Sequence, residues 1–352
     1  MENRINVGIV GFGVSGRIFH APFFLTSPKY NWTTVVERNS NEAVAFYSKI
    51  KTVRTAEELF NDPSIHLAII TTPTETHFSL AKQAMLAGKH VVAEKPFTVT
   101  TEEAKELIEI SRQQHVVLSI YQNRRYTSDF LAIKEILDKQ LLGEPVIFES
   151  YFDRYRPEKK ANSWREADHP GSGILYDLGS HLIDQSLHLF GLPISVTATI
   201  LKQRSDVKAD DYFDVRLNYG KLQVRLRSSM LVREMGPRYM VHGTKGSFIK
   251  SGMDPQEDQL KNGMMPGDAG FGVEPEESWG LLHTKMDEQI ILKKYPSHQG
   301  NFGIYYDELY ETIVRHAPLQ VTPQQALHTI RIIELAIKSS AFKCEVPVSI
   351  PD

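Results

Sequence analysis

The stretch VGIVGFGVSGRIFHAPFF, residues 7–24, decides how the first third of the chain is read. Its glycines at 11, 13 and 16 follow an apolar run, INVGIV (5–10), and lead into a segment of helical character. The spacing alone is weak evidence, but between a strand and a helix each glycine acquires a separate physical task. Gly11 permits the tight bend, Gly13 lets a pyrophosphate approach the backbone, and Gly16 lets helix and strand pack closely. The helix N-terminus that follows attracts negative phosphate. Gly11, Phe12, Gly13, Val14, Ser15 and Gly16 are therefore the first candidates for nucleotide contact.

Working outward, the runs WTTVVE (32–37), HLAIIT (66–71), HVVAEK (90–95) and VVLSIY (116–121) alternate with helical patterns such as TETHFSLAKQAMLAG (74–88) and TEEAKELIEISRQQ (101–114). Strands that are apolar almost throughout, with helices between them, predict a parallel sheet covered on both faces. This is an α/β, doubly wound Rossmann domain, expected over residues 1–122. Thr100 with Glu103 reads as a capping box, and Gly88 stands where a helix would stop.

After YQNRR (121–125) the rhythm changes to longer strand-like segments: PVIFESYFDR (145–154), ISVTATILKQ (194–203), DYFDVRLNYG (211–220), KLQVRLRSSM (221–230) and RYMVHGTKGSFIK (238–250). NYGKL (218–222) and HGTKGS (242–247) look like hairpin turns. A second, α+β domain with an open, mainly antiparallel sheet is expected over 123–352, with one face left for a partner subunit. Residues 251–280 have little periodicity and read as a long loop, and two helices near 302–316 and 323–342 follow.

The 352 residues exceed what one core usually supports, which agrees with two domains. Forty basic against 43 acidic residues leave a net charge of −3, with no basic excess to suggest nucleic acid or an anionic membrane. The one cysteine, Cys344, excludes an intramolecular disulfide and a cysteine-held metal. With no apparent signal peptide and no run long enough to span a bilayer, a cytoplasmic protein acting on a small molecule is expected.

Chemistry concentrates at the strand ends, where open α/β sheets bind ligands. Glu37, about 20 residues beyond the glycines, can accept hydrogen bonds from both adenosine ribose hydroxyls, or be a solvated strand-end charge. The former favours NAD. Arg38 beside it can stack on adenine or pair with a 2′-phosphate, which keeps NADP open. Thr71, Thr72 and Pro73 can line the pyrophosphate and nicotinamide-ribose path. Thr74 reads as a helix N-cap, and His77 as either a surface residue or a cofactor contact.

In AEKPF (93–97), Glu94 and Lys95 reach the same edge, where an ammonium can stabilise a substrate oxygen as its charge changes. Pro96 restricts Lys95 and can fix a cis bond that aims it inward. In GILYDLGSHLIDQSLHLFG (173–191), Asp177, His181, Asp184 and His188 fall along one helical stripe. His181 can take a proton from an alcohol, or be an ordinary core or surface histidine. Asp177 can orient it or hold a substrate hydroxyl, while Asp184 and His188 read as structural. Asp177 and His181 also have a metal-ligand spacing, but no third ligand accompanies them, so no metal is expected. Asn123, Arg124, Tyr155, Arg156 and Trp164 are candidates for substrate contact or for packing.

This constellation resembles the Gfo/Idh/MocA oxidoreductases over nearly the whole chain. GIVGFGVSG, TTPTETH, GKHVVAEKPF and LYDLGSHLIDQSLHLFG stand in that family's order and approximate spacing. YQNRRY, YFDRYRPE and VHGTKGSFIKSGMDPQEDQLKNG are most similar to its bacterial, scyllo-inositol 2-dehydrogenase-like subgroup. The resemblance implies reversible oxidation of a sugar or polyol alcohol by NAD or NADP, a C-terminal sheet that joins subunits into a homodimer or homotetramer, and Lys95, Asp177 and His181 as the catalytic set. Lys95, Asp177 and His181 are expected to contact substrate as well, and Lys95 the cofactor. NADP-linked members of the subgroup tend to lack an acid at the position of Glu37, so NAD is the favoured expectation. The alternatives are a same-fold reductase of another carbonyl, nucleotide-sugar or imine substrate, and a non-catalytic NAD(P)-binding regulator.

Overall fold

In the computed structural model, residues 4–159 and 163–349 are described. They contain strands β1 (Ile5–Val10), β2 (Tyr30–Val36), β3 (Lys51–Val53), β4 (Leu67–Ile70), β5 (His90–Ala93) and β6 (Leu118–Ile120). Helices α1 (Ala21–Thr26), α2 (Glu42–Phe46), α3 (Ala56–Phe60), α4 (His77–Leu86) and α5 (Thr101–Gln113) alternate with them. The six strands form one parallel sheet in the order β3-β2-β1-β4-β5-β6. Every residue of β4 is buried, as a strand covered on both faces requires. The order reverses between β1 and β4, which places the ends of INVGIV and LAII at the topological switch point, where ligands bind.

Local chemistry sets the boundaries. The side chain of Thr100 accepts from the Glu103 amide while Glu103 reaches back, so the expected capping box opens α5. Thr55 and Glu58 form a second one on α3. Strand β3 was absent from the sequence reading: with three residues, KTV, at the sheet edge, it has no apolar run to announce it.

The first compact unit takes in the chain up to Asn123 together with Gln256–Phe271 and Asn301–Leu327. The added stretches contribute an aromatic cluster: Phe23 lies 5.7 Å from Tyr306 and 6.4 Å from Phe302, and the Tyr30 hydroxyl donates to the Tyr306 carbonyl at 2.7 Å.

The second unit comprises Arg124–Pro255, Gly272–Gly300 and the chain from His328. Its strands are β7 (Pro145–Tyr151), β8 (Ser195–Leu201), β9 (Tyr212–Tyr219), β10 (Leu222–Ser229), β11 (Tyr239–Gly243), β12 (Gly246–Lys250), β13 (Gly280–Met286), β14 (Gln289–Tyr295) and β15 (Val346–Pro347). They form one sheet, β14-β13-β12-β11-β7-β10-β9-β8-β15, in which only β7 and β10 pair in parallel. Both expected hairpins are present, β9 to β10 and β11 to β12. The remaining helices are α6 (Ser128–Asp138), α7 (Ser180–Phe190), α8 (Gln256–Lys261), α9 (Gly303–Arg315) and α10 (Pro323–Phe342).

On β10, Leu222, Val224 and Leu226 are buried while Gln223, Arg225 and Arg227 point to the other face. That second face carries exposed apolar residues, among them Ile147, Leu281, Ile290 and Leu292. The register through His242, Ser247 and His283 puts Ile147 and Leu292 on the same side. Two expectations change within residues 251–295. The segment expected as a loop contains α8, and the β13–β14 hairpin follows it. Asp287 and Glu288 take positive φ at its tip, so no glycine marked the turn.

Candidate active site

The glycine turn has the geometry its residues predict. Gly11 sits at φ +96°, and a Cβ on Gly16 would stand 2.7 Å from the Gly11 carbonyl oxygen, so neither tolerates a side chain. The Thr71 hydroxyl donates to the carbonyls of Val10 (3.1 Å) and Gly11 (2.9 Å), tying the end of β4 to the turn. A Cβ on Gly13 would meet no atom within 4 Å. The space over Gly13 is open, so the site fits a diphosphate that lies against the backbone. The Phe12 ring is buried against Trp32 at 5.5 Å, and Val14 is exposed. The following turn, Ser15–His20, is π-helical before α1 begins, a rare geometry that recurs at functional sites.

Glu37 is turned inward. Its carboxylate, 4% exposed, accepts from the Ser40 hydroxyl and the Glu42 amide at 2.8 Å each and from the Ala43 amide at 3.1 Å. It thus caps the N-terminus of α2, where the unsatisfied amides and the helix dipole favour an anion. Arg54 fastens the same loop, donating to the carbonyls of Glu37 (2.8 Å) and Ser40 (2.6 Å). Arg38, between these anchors, is exposed.

Beyond Thr71, the Thr72 hydroxyl pairs with that of Thr76 at 2.6 Å. Thr74 does not cap a helix as expected: its hydroxyl is buried without a hydrogen-bond partner, and a 3₁₀ turn beginning after Pro73 leads into α4. His77 is buried, with Nδ1 2.9 Å from the Pro96 carbonyl and Nε2 2.9 Å from the Thr72 carbonyl. Burial lowers its pKa, outweighing the two carbonyls. The ring braces the Thr72 and Pro96 turns from beneath.

The Lys95–Pro96 bond is cis, and Lys95 is half-buried. Glu94 accepts from the Lys95 backbone amide at 3.0 Å, from His20 Nε2 at 3.0 Å and from the Ser15 hydroxyl. Burial works against its charge, but the hydrogen bonds and charge of His20, with Ser15, bring its pKa down to about 2. It is a carboxylate at any physiological pH.

In the second unit Asp177 lies in another π-helical turn, Leu175–Gly179, which runs directly into α7 and its buried His181. The Arg165 guanidinium contacts Asp177 at 3.2 Å and lies over the Trp164 ring at 4.5 Å. Asp184 has the structural place expected for it, in a buried bidentate pair with Arg125 at 2.6 and 2.8 Å. Gln185 donates to the Arg124 carbonyl and accepts from the Tyr239 hydroxyl. Arg124 itself is buried with its guanidinium 5.7 Å from Phe152, Asn123 is buried in the neighbouring turn, and His188 is exposed.

Tyr155 is exposed under the Arg233 guanidinium at 3.9 Å. The Arg156 amide donates to the Met230 carbonyl. Buried Arg204 holds this segment: it donates to the carbonyls of Arg156 and Glu158 at 3.1 Å each, approaches Glu166 at 3.6 Å and pairs with Asp211 at 2.9 Å. His20, Arg165 and Arg204 escaped the sequence reading. Only Arg165 had a local signal, the WRE triplet beside a candidate aromatic.

Among the described residues no group of three or more His, Cys, Asp or Glu can hold a metal, and no helix is long and apolar enough to cross a membrane. Residues 5–122 match the family model for the oxidoreductase family NAD-binding Rossmann fold, and residues 134–349 match the C-terminal α/β domain of the same family, GFO_IDH_MocA. The chain is 41% identical to scyllo-inositol 2-dehydrogenase (NADP(+)) IolW of Bacillus subtilis, over 97% of this chain and 95% of that one. It is 39% identical to the uncharacterized oxidoreductase YdgJ of Escherichia coli, over 97% and 98%. The solved structure of the oxidoreductase yvaA from Bacillus subtilis superposes with a TM-score of 0.96 at 40% identity, covering 99% of both chains. The chain belongs to the Gfo/Idh/MocA oxidoreductase family.

Proposed function

We propose that the protein is an NADP-linked dehydrogenase of a secondary alcohol on a polyol or sugar, with cyclitols such as scyllo-inositol as the first substrates to try. The observation that carries this reading is the presence of Lys95 at the ligand edge of the nucleotide sheet together with Asp177 and His181 on consecutive turns of one helix. A nicotinamide dinucleotide held by its diphosphate at the glycine turn would supply the hydride acceptor. His181 accepts the hydroxyl proton as hydride leaves the carbinol carbon, giving a ketone. The Lys95 ammonium stabilises the oxygen as its charge changes, and Asp177, held by Arg165, orients the pair.

The preference for NADP rests on Glu37. Hydrogen bonds from the Glu42 and Ala43 amides turn its carboxylate inward onto α2, which leaves exposed Arg38 as the charge better placed to meet a 2′-phosphate. On this ground we favour NADP over the NAD expected from the sequence. The relationship to an NADP-linked inositol dehydrogenase supports the same choice. The exposed apolar residues on the uncovered sheet face support association of copies of this chain through that face. A spectrophotometric matrix of NADP+ and NAD+ against inositols, alditols and aldoses tests substrate class and cofactor together; nucleotide binding without turnover of any member would favour a regulator.

A further inference from the structure

His20 lies 74 residues from Glu94 and 286 from Tyr306, and its ring joins them: Nε2 is 3.0 Å from the Glu94 carboxylate and Nδ1 is 2.6 Å from the Tyr306 hydroxyl. The ring is fully buried in an aromatic box, 4.4 Å from Tyr121 and 6.3 Å from Tyr306. The same carboxylate oxygen that meets His20 accepts from Ser15, inside the glycine turn, and the other oxygen accepts from the backbone amide of Lys95. One carboxylate therefore ties the nucleotide turn to the peptide that carries the proposed catalytic lysine. It can do so only if its own orientation is fixed, and His20, clamped from behind by Tyr306, fixes it.

We propose that His20 is a positioning residue that, through Glu94, locks the glycine turn and Lys95 in their working geometry. Three features support this beyond simple packing. Both buried ring nitrogens are engaged, Nδ1 by a hydroxyl and Nε2 by an ionised group, which fixes the orientation of the ring as well as its place. In so dry a setting a charged hydrogen bond is strong, and an unfilled one costly. The π-helical turn Ser15–His20 also departs from α geometry over the residues that bring Ser15 and His20 to the same oxygen.

The role of Lys95 in turnover rests on the function proposed above, so the test has a binding arm that does not depend on it. NADPH and NADH are titrated by fluorescence against the wild-type chain and against His20→Gln, His20→Leu and Tyr306→Phe, taking the tighter nucleotide. Gln can still donate to Glu94, whereas Leu fills the space without donating. His20→Leu is expected to weaken binding by about tenfold or more and His20→Gln by about threefold or less, with Tyr306→Phe between them. With an active substrate, His20→Leu is also expected to lower kcat about tenfold while leaving the KM for the polyol unchanged. Equal losses in Gln and Leu, or wild-type binding in Leu, would overturn the proposal. Should His20→Leu not fold, Tyr306→Phe decides the matter, wild-type nucleotide affinity counting against it. Absence of polyol turnover in the wild type would reject the dehydrogenase reading and leave the binding comparison intact.

Discussion

The Glu37 carboxylate accepts the backbone amide of Glu42 at 2.8 Å, so the acid at the end of the second strand serves as a helix cap. A residue type that marks NAD selectivity elsewhere performs a structural task here. Replacing Arg38 with Ala should then lower kcat/KM for NADP+ by about tenfold or more and leave that for NAD+ within about threefold. Glu37→Gln should cost roughly 1–3 kcal/mol of stability in denaturant unfolding without converting the enzyme to NAD+. A large loss of NAD+ use, or a large gain in NADP+ selectivity, from Glu37→Gln would be inconsistent with the inward-facing carboxylate.

Arg165 and Asp177 form a pair of the sort that adds little stability, because the arginine is about half exposed. Arg165→Met should therefore shift unfolding by less than about 1 kcal/mol but reduce kcat/KM by about tenfold or more. In a double-mutant cycle with Asp177→Asn the losses should be strongly non-additive. Additive losses would mean that Arg165 acts elsewhere than on Asp177.

The elements that were legible in the sequence are those whose chemistry demands a fixed residue at a fixed spacing. Gly11, Gly13 and Gly16, the Lys95–Pro96 turn, the Thr100–Glu103 box and the Asp177-to-His181 step are all of this type. The contacts of Glu37 were not legible because its partners are amides that come into place only once α2 has formed after it. His20 and Tyr306 could not be connected from sequence, since 286 residues separate two ring systems that meet only in the folded aromatic cluster. Edge strand β3 and the β13–β14 hairpin were missed because one is short and the other mostly solvent-facing, so neither carries a strong apolar pattern.

Asp210 predicts a pH effect on stability. Its carboxylate accepts from the Leu175 amide at 2.8 Å, at the start of the turn bearing Asp177. Burial pushes its pKa up to about 6 from 3.8, against the opposing effect of those backbone hydrogen bonds. Between those values the folded state holds the proton and the unfolded state has lost it. This contribution is thus present in full below about pH 4 and is lost as pH rises through 6. Asp210→Asn should remove a decline of roughly 2 kcal/mol between pH 4 and 7 in denaturant titrations. An unchanged slope would show that Asp210 does not hold the proton.

The uncovered face of the second sheet predicts an oligomer. Leu292 and Ile147 are exposed on it, and a charge at either position would be buried unpaired in a shared interface. Leu292→Glu and Ile147→Glu should each lower the molar mass in light scattering after gel filtration, leaving the circular dichroism spectrum unchanged. A wild-type chain that elutes as a monomer at high concentration would contradict this assignment.

Oxidation of a secondary alcohol by this chain, as proposed, needs both Lys95 and His181 at the reacting oxygen. The most direct measurement is the formation of NADPH from NADP+ and a panel of inositols and alditols by the wild type, Lys95→Met and His181→Ala, with NADPH affinity measured in parallel. Turnover is expected from the wild type, with losses in kcat of about 10²- to 10⁴-fold in each variant and nucleotide affinity within about threefold. Near-normal turnover in either variant, with an active wild type, would contradict it.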